Sequence, residues 1–155
     1  MRTLILIAVV AFVALLQWQL SWLAGFRPDL LLASLITLAL FVGPAELLLI
    51  LLAAALGLNW QPGLNYELVL YLALPVLVFF LRGFLPWQSW FNNLVVVAAA
   101  ILLFYLALHG TWLWNAFHPG FLAAFAVSLL WSAALFRLLH GFLKFPLERP
   151  FGFRT

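Results

Sequence analysis

The chain has 155 residues, of which 68% are hydrophobic and 7% are charged, and its formal net charge is +3. Soluble domains contain roughly 45–50% apolar and 25% charged residues, so a water-soluble globule of this composition would expose large apolar patches. The lipid bilayer is the natural solvent for such a chain, and helices satisfy their own backbone hydrogen bonds there.

The apolar residues form long runs of Leu, Ala and Val without polar–apolar alternation, which argues against a transmembrane barrel. No stretch has the composition of a soluble domain. Residues 1–155 are therefore expected to form a single membrane domain, an all-α integral membrane protein built as a bundle of about six transmembrane helices.

The absence of cysteine excludes a disulfide framework and a thiolate metal site. The pI near 10 comes from scattered basic residues that form no cationic face, so no nucleic-acid partner is expected.

In chain order, the first apolar segment covers residues 4–24 and follows Met1 and Arg2, as the apolar part of a signal peptide would. A cleavage site needs small residues at a fixed spacing, and Trp22 and Leu23 stand where they would obstruct it. About 20 helical residues cross the hydrocarbon core. The segment is therefore expected to be a retained membrane anchor.

The second and third apolar segments, 30–42 and 45–58, have only 13 and 14 residues and are joined by "VGP" at 42–44. They are either short spans completed by flanking residues or a re-entrant hairpin that enters the bilayer and returns. Both alternatives bring the chain back to the same side, so the overall topology is the same in either case.

Three further apolar segments follow at 67–81, 93–108 and 120–139, and Pro75 is expected to kink the first of them. Residues 140–155 form a short basic tail that is expected to lie on an anionic cytoplasmic leaflet.

The basic residues predict the orientation in the membrane. With six segments and the N-terminus inside, only Arg27 lies outside, which is the positive-inside pattern. Both termini are therefore expected in the cytoplasm. The six basic residues on or near that side are Arg2, Arg82, Arg137, Lys144, Arg149 and Arg154.

The four acidic residues have simple explanations. Asp29, Glu46 and Glu67 are each expected in the first turn of a helix, where free N–H groups and the positive end of the helix dipole favour an anion. Glu148 lies in the tail. None is expected in the middle of a span, where an ionisable residue would indicate function.

The histidines offer no metal site on this interpretation. His109 and His118 are nine residues apart and have no carboxylate nearby, whereas zinc usually needs three or four protein ligands. No catalytic residue, no metal site and no cofactor are therefore expected.

Two pairs of small polar residues lie within the apolar segments. Ser34 and Thr37 are three residues apart, and Ser128 and Ser132 are four apart, so each pair shares a helix face. Such faces favour helix–helix packing within the protein. Contact with a transmembrane helix of a partner protein is the alternative.

The order of features resembles a known family. The first segment ends in "LLQWQL", a short outer loop carries "FRPDLLL", and a "GP" turn follows the second segment; the third ends in "GLNWQPGL" and the fourth closes on "LRGFLPWQSW". In length and segment order, nearly the whole chain resembles the rod shape-determining protein MreD family of small bacterial inner-membrane proteins. Family members commonly carry an aspartate near the end of the third segment, and this chain departs from them with "AALGLNWQPG".

The resemblance implies a non-enzymatic, multi-pass protein of the bacterial inner membrane. MreD-like proteins belong to the elongation machinery that directs peptidoglycan synthesis along the side wall. They associate with the bitopic protein MreC and, through it, with the actin-like MreB filament and the RodA–transpeptidase synthase. Their fold is similar to that of the substrate-binding subunits of energy-coupling-factor transporters. The matching motif residues, each with an implied structural or interaction role, are Arg27, Pro28, Asp29, Pro62 and Gly63.

A second hypothesis shares this fold, namely a substrate-capture subunit of a vitamin or metal-ion uptake transporter. In that case Trp60, Trp112 and Trp114 in the outer loops would close over a ligand. The same tryptophans are typical of the aromatic belt at a membrane interface, so the assembly subunit is preferred. A membrane enzyme acting on lipids ranks third, because acids and histidines are spread along the chain.

Overall fold

A computed structural model describes residues 2–24, 28–58, 66–84, 90–109 and 119–142. These residues form six α-helices and no strand, so the predicted all-α class is confirmed, and each predicted apolar segment forms one helix. In chain order the helices are α1 (Arg2–Ala24), α2 (Leu30–Phe41), α3 (Pro44–Leu58), α4 (Tyr66–Leu81), α5 (Trp90–His109) and α6 (Pro119–Phe142).

Three of these helices, α1, α5 and α6, are long and apolar enough to cross a membrane, which is consistent with a membrane protein. The other three are apolar but shorter. The shortest is α2, whose 12 residues extend over about 18 Å. The hydrocarbon core of a bilayer is about 30 Å thick, so α2 alone is too short to fill it.

The shortest helix lies at the centre of the fold. Every residue from Leu30 to Leu40 is buried, and α2 packs against each of the other five helices. Its sequence, LLLASLITLALF, has apolar residues on every side and only Ser34 and Thr37 as polar residues, as expected for a helix with no face toward the surrounding solvent. The outer helices expose large apolar side chains, such as Leu48, Leu52 and Leu56 of α3. An exterior of apolar side chains is suited to contact with the lipid chains of a bilayer.

The outer helices also pack against one another. The most extensive of these contacts join α1 to α3 and α5 to α6, and α4 packs between α2 and α5. Pro75 lies inside α4 and is buried, and α4 is a single helix on both sides of it.

A tight turn at Val42 and Gly43 joins α2 to α3. Glu46 lies in the first turn of α3, as predicted, and its Oε2 accepts a hydrogen bond from the Gly43 amide at 3.3 Å. This contact resembles half of a capping box. The Thr3 hydroxyl donates to Oε1 of the same carboxyl group at 3.4 Å. The turn therefore lies beside the N-terminal end of α1.

Candidate functional site

The polar side chains of the described residues concentrate around α2, and the most prominent of them is Asp29. The helix begins at Leu30, so Asp29 is the residue directly before it and does not lie in its first turn. Its side chain makes no hydrogen bond to the helix it precedes, and the residue is only 8% exposed. The helix starts directly after Asp29, close to where it was expected, but the Asp29 side chain is directed into the protein and does not cap the helix.

The Asp29 carboxyl group lies beside two tyrosines from different helices. The Tyr71 hydroxyl of α4 donates to Asp29 Oδ1 at 3.0 Å, and the Tyr105 hydroxyl of α5 lies near the same carboxyl group. Tyr71 is itself buried, with its ring packed edge-on against Phe104 at 4.8 Å between centroids. The carboxyl group thus links α4 and α5 to the start of α2.

The backbone at the start of α2 is satisfied by two further helices. The Asp29 amide donates to Ser128 Oγ of α6 at 2.9 Å, and the Leu31 amide donates to Gln17 Oε1 of α1 at 2.8 Å. The first N–H groups of a helix have no partner within the helix, so these side chains supply what water would otherwise provide. We call Gln17, Asp29, Tyr71, Tyr105 and Ser128 the Asp29 cluster.

The other end of α2 is capped by a distant arginine. Arg82, just after α4, donates from one guanidinium nitrogen to the carbonyl oxygens of Ala39 at 3.2 Å and Val42 at 2.7 Å. Its guanidinium carbon lies 4.0 Å from the centroid of the Phe79 ring, a cation–π distance. Burial lowers the pKa of Arg82 from its ordinary value, although an arginine stays charged at neutral pH. Its positive charge faces the negative end of the α2 dipole.

Between its two ends, α2 is joined to α6 by side-chain hydrogen bonds. Trp131 Nε1 donates to Ser34 Oγ at 2.8 Å, which explains a tryptophan deep within an apolar segment. The hydroxyl oxygens of Thr37 and Ser132 are 3.0 Å apart, and Asn93 Nδ2 of α5 donates to Ser132 Oγ at 3.1 Å. Both predicted polar faces therefore take part in packing within the protein.

The structure describes two of the five motif residues, Pro28 and Asp29. Pro28 is buried beside Asp29, and Asp29 is the centre of its cluster. Arg27, Pro62 and Gly63 lie outside the described residues, as do the three outer-loop tryptophans.

Sequence reasoning missed Tyr71, Tyr105 and the connection of Gln17 to α2. The chain has three tyrosines, and two of them belong to the cluster. A tyrosine inside an apolar helix carries a hydroxyl that needs a partner, and that signal was present in the sequence. The identity of the partner, 42 residues away for Tyr71, was not.

The polar side chains of the Asp29 cluster bind groups of the protein itself, namely the backbone amides at the start of α2 and the Asp29 carboxyl group. Among the described residues, no group of three His, Cys, Asp or Glu side chains is placed to hold a metal ion. The geometry of the Asp29 cluster is that of a junction between helices. The chain matches no protein-family model, no curated protein and no solved structure.

Replacing Tyr71 by Phe is expected to destabilise the protein by about 1 kcal/mol, since hydrogen bonds inside membrane proteins contribute about 0.6 kcal/mol on average and up to about 1.7. Thermal unfolding in detergent, followed by circular dichroism, measures this change. The matched control is Tyr66→Phe, because Tyr66 begins the same helix and is 62% exposed. Equal melting temperatures for both variants would show that the Asp29 contact does not stabilise the fold.

Proposed function

We propose that the chain is a non-catalytic membrane subunit of the bacterial cell-wall elongation machinery and helps to maintain rod shape by associating with other proteins. The observation that carries this proposal is the position of Asp29. The "RPD" motif carries the resemblance to the MreD family, and its aspartate lies at the start of α2, beside Tyr71 of α4, Tyr105 of α5 and Ser128 of α6. Asp29 thus serves helix packing, which suits a subunit that acts by assembly.

The proposal includes six membrane crossings in one helix bundle. The contact of Thr3 with Glu46 places the α2–α3 turn at the N-terminal end of α1. The Leu31 amide, at the start of α2, donates to Gln17 of α1. Gln17 lies 14 residues after Thr3, which is about 21 Å along the axis of α1. A re-entrant hairpin would turn near the middle of the bilayer. The reach of α2 along α1 therefore supports two short spans.

The proposed orientation has both termini in the cytoplasm of a bacterial cell, in the inner membrane. Arg82 lies at the C-terminal end of α2. The Phe41 and Phe136 rings are 5.1 Å apart, which brings Arg137 to the same end. Asp29 begins the opposite end of α2. Two cations on one side support the positive-inside orientation.

The surface offered to partners within the membrane is apolar. The exposed leucines of α3, at positions 48, 49, 52 and 56, form one such face, and the polar groups around α2 are directed inward. Association of transmembrane helices depends on packing of such faces. The proposed partner is the single transmembrane helix of an MreC-like bitopic protein, which would link the chain to the cell-wall synthase assembly.

Cysteine labelling tests the six crossings, because the chain has no native cysteine. A Cβ atom at Gly43, Gly83 or Gly141 meets no atom within 4 Å, so Gly→Cys is tolerated at each. A membrane-impermeant maleimide is expected to label all three from the cytoplasmic side. Tyr66→Cys is the control for the opposite side. If Gly43→Cys is protected from both sides while Gly83→Cys and Gly141→Cys label normally, α2 and α3 form a re-entrant hairpin.

The partner is tested by mild solubilisation of native membranes and affinity purification of the tagged full chain. An MreC-like protein is expected to co-purify, and depletion of the chain is expected to turn rod-shaped cells round. The control is an unrelated tagged protein of the same membrane, purified in parallel. Failure to recover the partner, together with unchanged cell shape after depletion, would exclude the proposed function.

One observation favours a substrate-capture subunit as the second candidate. Beside the Asp29 carboxyl group, the rings of Tyr71, Phe104, Tyr105 and Phe121 follow one another at centroid distances of 4.8, 5.7 and 4.9 Å. Aromatic faces near a carboxyl group suit a cationic aromatic ligand. Mass spectrometry of the purified chain separates the candidates, since a capture subunit retains a small molecule that Asp29→Asn releases.

A further inference from the structure

We propose that the protein makes the lipid bilayer thinner on one side, along the exposed faces of α3 and α4. The inference rests on the six membrane crossings proposed above, and it concerns the chain free of partner proteins. The two helices pack against each other, so their exposed apolar faces adjoin. The height of this lipid-facing surface depends on where the polar residues at its two ends lie.

Charged residues mark both ends of α4. Glu67 lies in its first turn and is exposed, and Arg82 follows its last residue. The Arg82 amide donates to the Val78 carbonyl oxygen at 2.9 Å, so the helical geometry continues to Arg82. Arg82 is 15 residues after Glu67, which is about 22 Å along the helix axis. The hydrocarbon core of a bilayer is about 30 Å thick.

Arg82 cannot lengthen this apolar stretch by extending its side chain toward the lipid headgroups. Long basic side chains often reach outward in this way. The guanidinium group of Arg82, however, donates to the carbonyl oxygens of Ala39 and Val42 and lies over the Phe79 ring. Tilting of α4 would bring its two ends still closer together along the bilayer normal. A bilayer that becomes thinner beside the short span removes the mismatch.

The central helix gives nearly the same distance between its polar ends. Val42 lies 13 residues after Asp29, or about 20 Å along the axis of α2. Glu67 acts electrostatically on Asp29, and Arg82 binds the Val42 carbonyl oxygen. The two ends of α4 therefore lie level with the two ends of α2, so the short span reflects the architecture of the bundle.

The neighbouring helix α3 is shorter still. Its apolar part begins after Glu46, which lies in the first turn. The helix ends at Leu58, about 18 Å further along the axis. The side chains that α3 exposes over this length are large and apolar, and they include Leu48, Leu52 and Leu56.

The side formed by α5 and α6 is taller. Helix α5 has 20 residues and is therefore about 30 Å long. In α6, the first charged residue is Arg137, which lies 18 residues after Pro119, or about 27 Å along the axis. These lengths match the hydrocarbon core, so thinning is expected beside α3 and α4 only.

Fluorescence quenching by a brominated lipid tests this inference with two matched variants of the full chain, Ala73→Cys in α4 and Ala126→Cys in α6. Both alanines are exposed, and each lies seven residues after the first residue of its helix. The chain has no native cysteine, so each variant carries one maleimide fluorophore. The bilayers contain brominated dioleoyl-phosphatidylcholine and an unbrominated competitor, either dioleoyl-phosphatidylcholine or the shorter dimyristoleoyl-phosphatidylcholine.

Exchanging the dioleoyl competitor for the dimyristoleoyl lipid at the same ratio is expected to relieve quenching several-fold more strongly at position 73 than at position 126. Equal relief at both positions would overturn the inference and leave the proposed function intact. Absence of quenching at position 73 in the brominated lipid alone would also overturn it, because that face would not contact lipid. Cysteine labelling at Gly83 and Tyr66 then shows whether the crossing of α4 has failed as well.

Discussion

The rest of the structure depends on the burial of α2. A helix leaves its first N–H groups and its last carbonyl groups without partners. Because α2 is enclosed by five other helices, neither bulk water nor lipid headgroups reach most of its length. Each end must therefore be satisfied by side chains from other parts of the chain. Gln17 and Ser128 accept from the amides at the start, and Arg82 donates to the carbonyl groups at the end.

This requirement explains why so apolar a chain keeps its few polar residues where it does. An unsatisfied polar group in a buried position costs about 1–3 kcal/mol, and the side chains that form hydrogen bonds with α2 or with Asp29, the residue before it, come from α1, α4 and α6 or from the residue just after α4. Asp29 is the clearest case: its carboxyl group accepts a hydrogen bond from Tyr71 while its amide donates to Ser128. These polar groups join helices of the protein to one another.

The sequence predicted the helices well and the site only in part. Long apolar runs bounded by Pro, Gly and charge located the six helices of the described residues, and the first-turn positions of Glu46 and Glu67 followed from helix electrostatics. The burial of Asp29 was not predicted, because the pattern "RPD" beside a helix start is equally compatible with a surface position. This side chain is directed inward because α2 packs at the centre of the fold. That packing involves contacts of Asp29 with residues 42 and 99 positions away in the chain. The all-round apolar sequence of α2 was the one local sign of that position.

The most direct test of this account is the replacement of Arg82 by Leu, compared with Arg137→Leu. Both residues lie near the same end of α2, but only Arg82 donates to the carbonyl groups of Ala39 and Val42, and Arg137 is exposed. Thermal unfolding in detergent is expected to show a clear loss of stability for Arg82→Leu, of about 1–3 kcal/mol for the unsatisfied carbonyl groups, and little change for Arg137→Leu. Equal stability of the two variants would contradict the claim that capping of the buried helix holds the fold together.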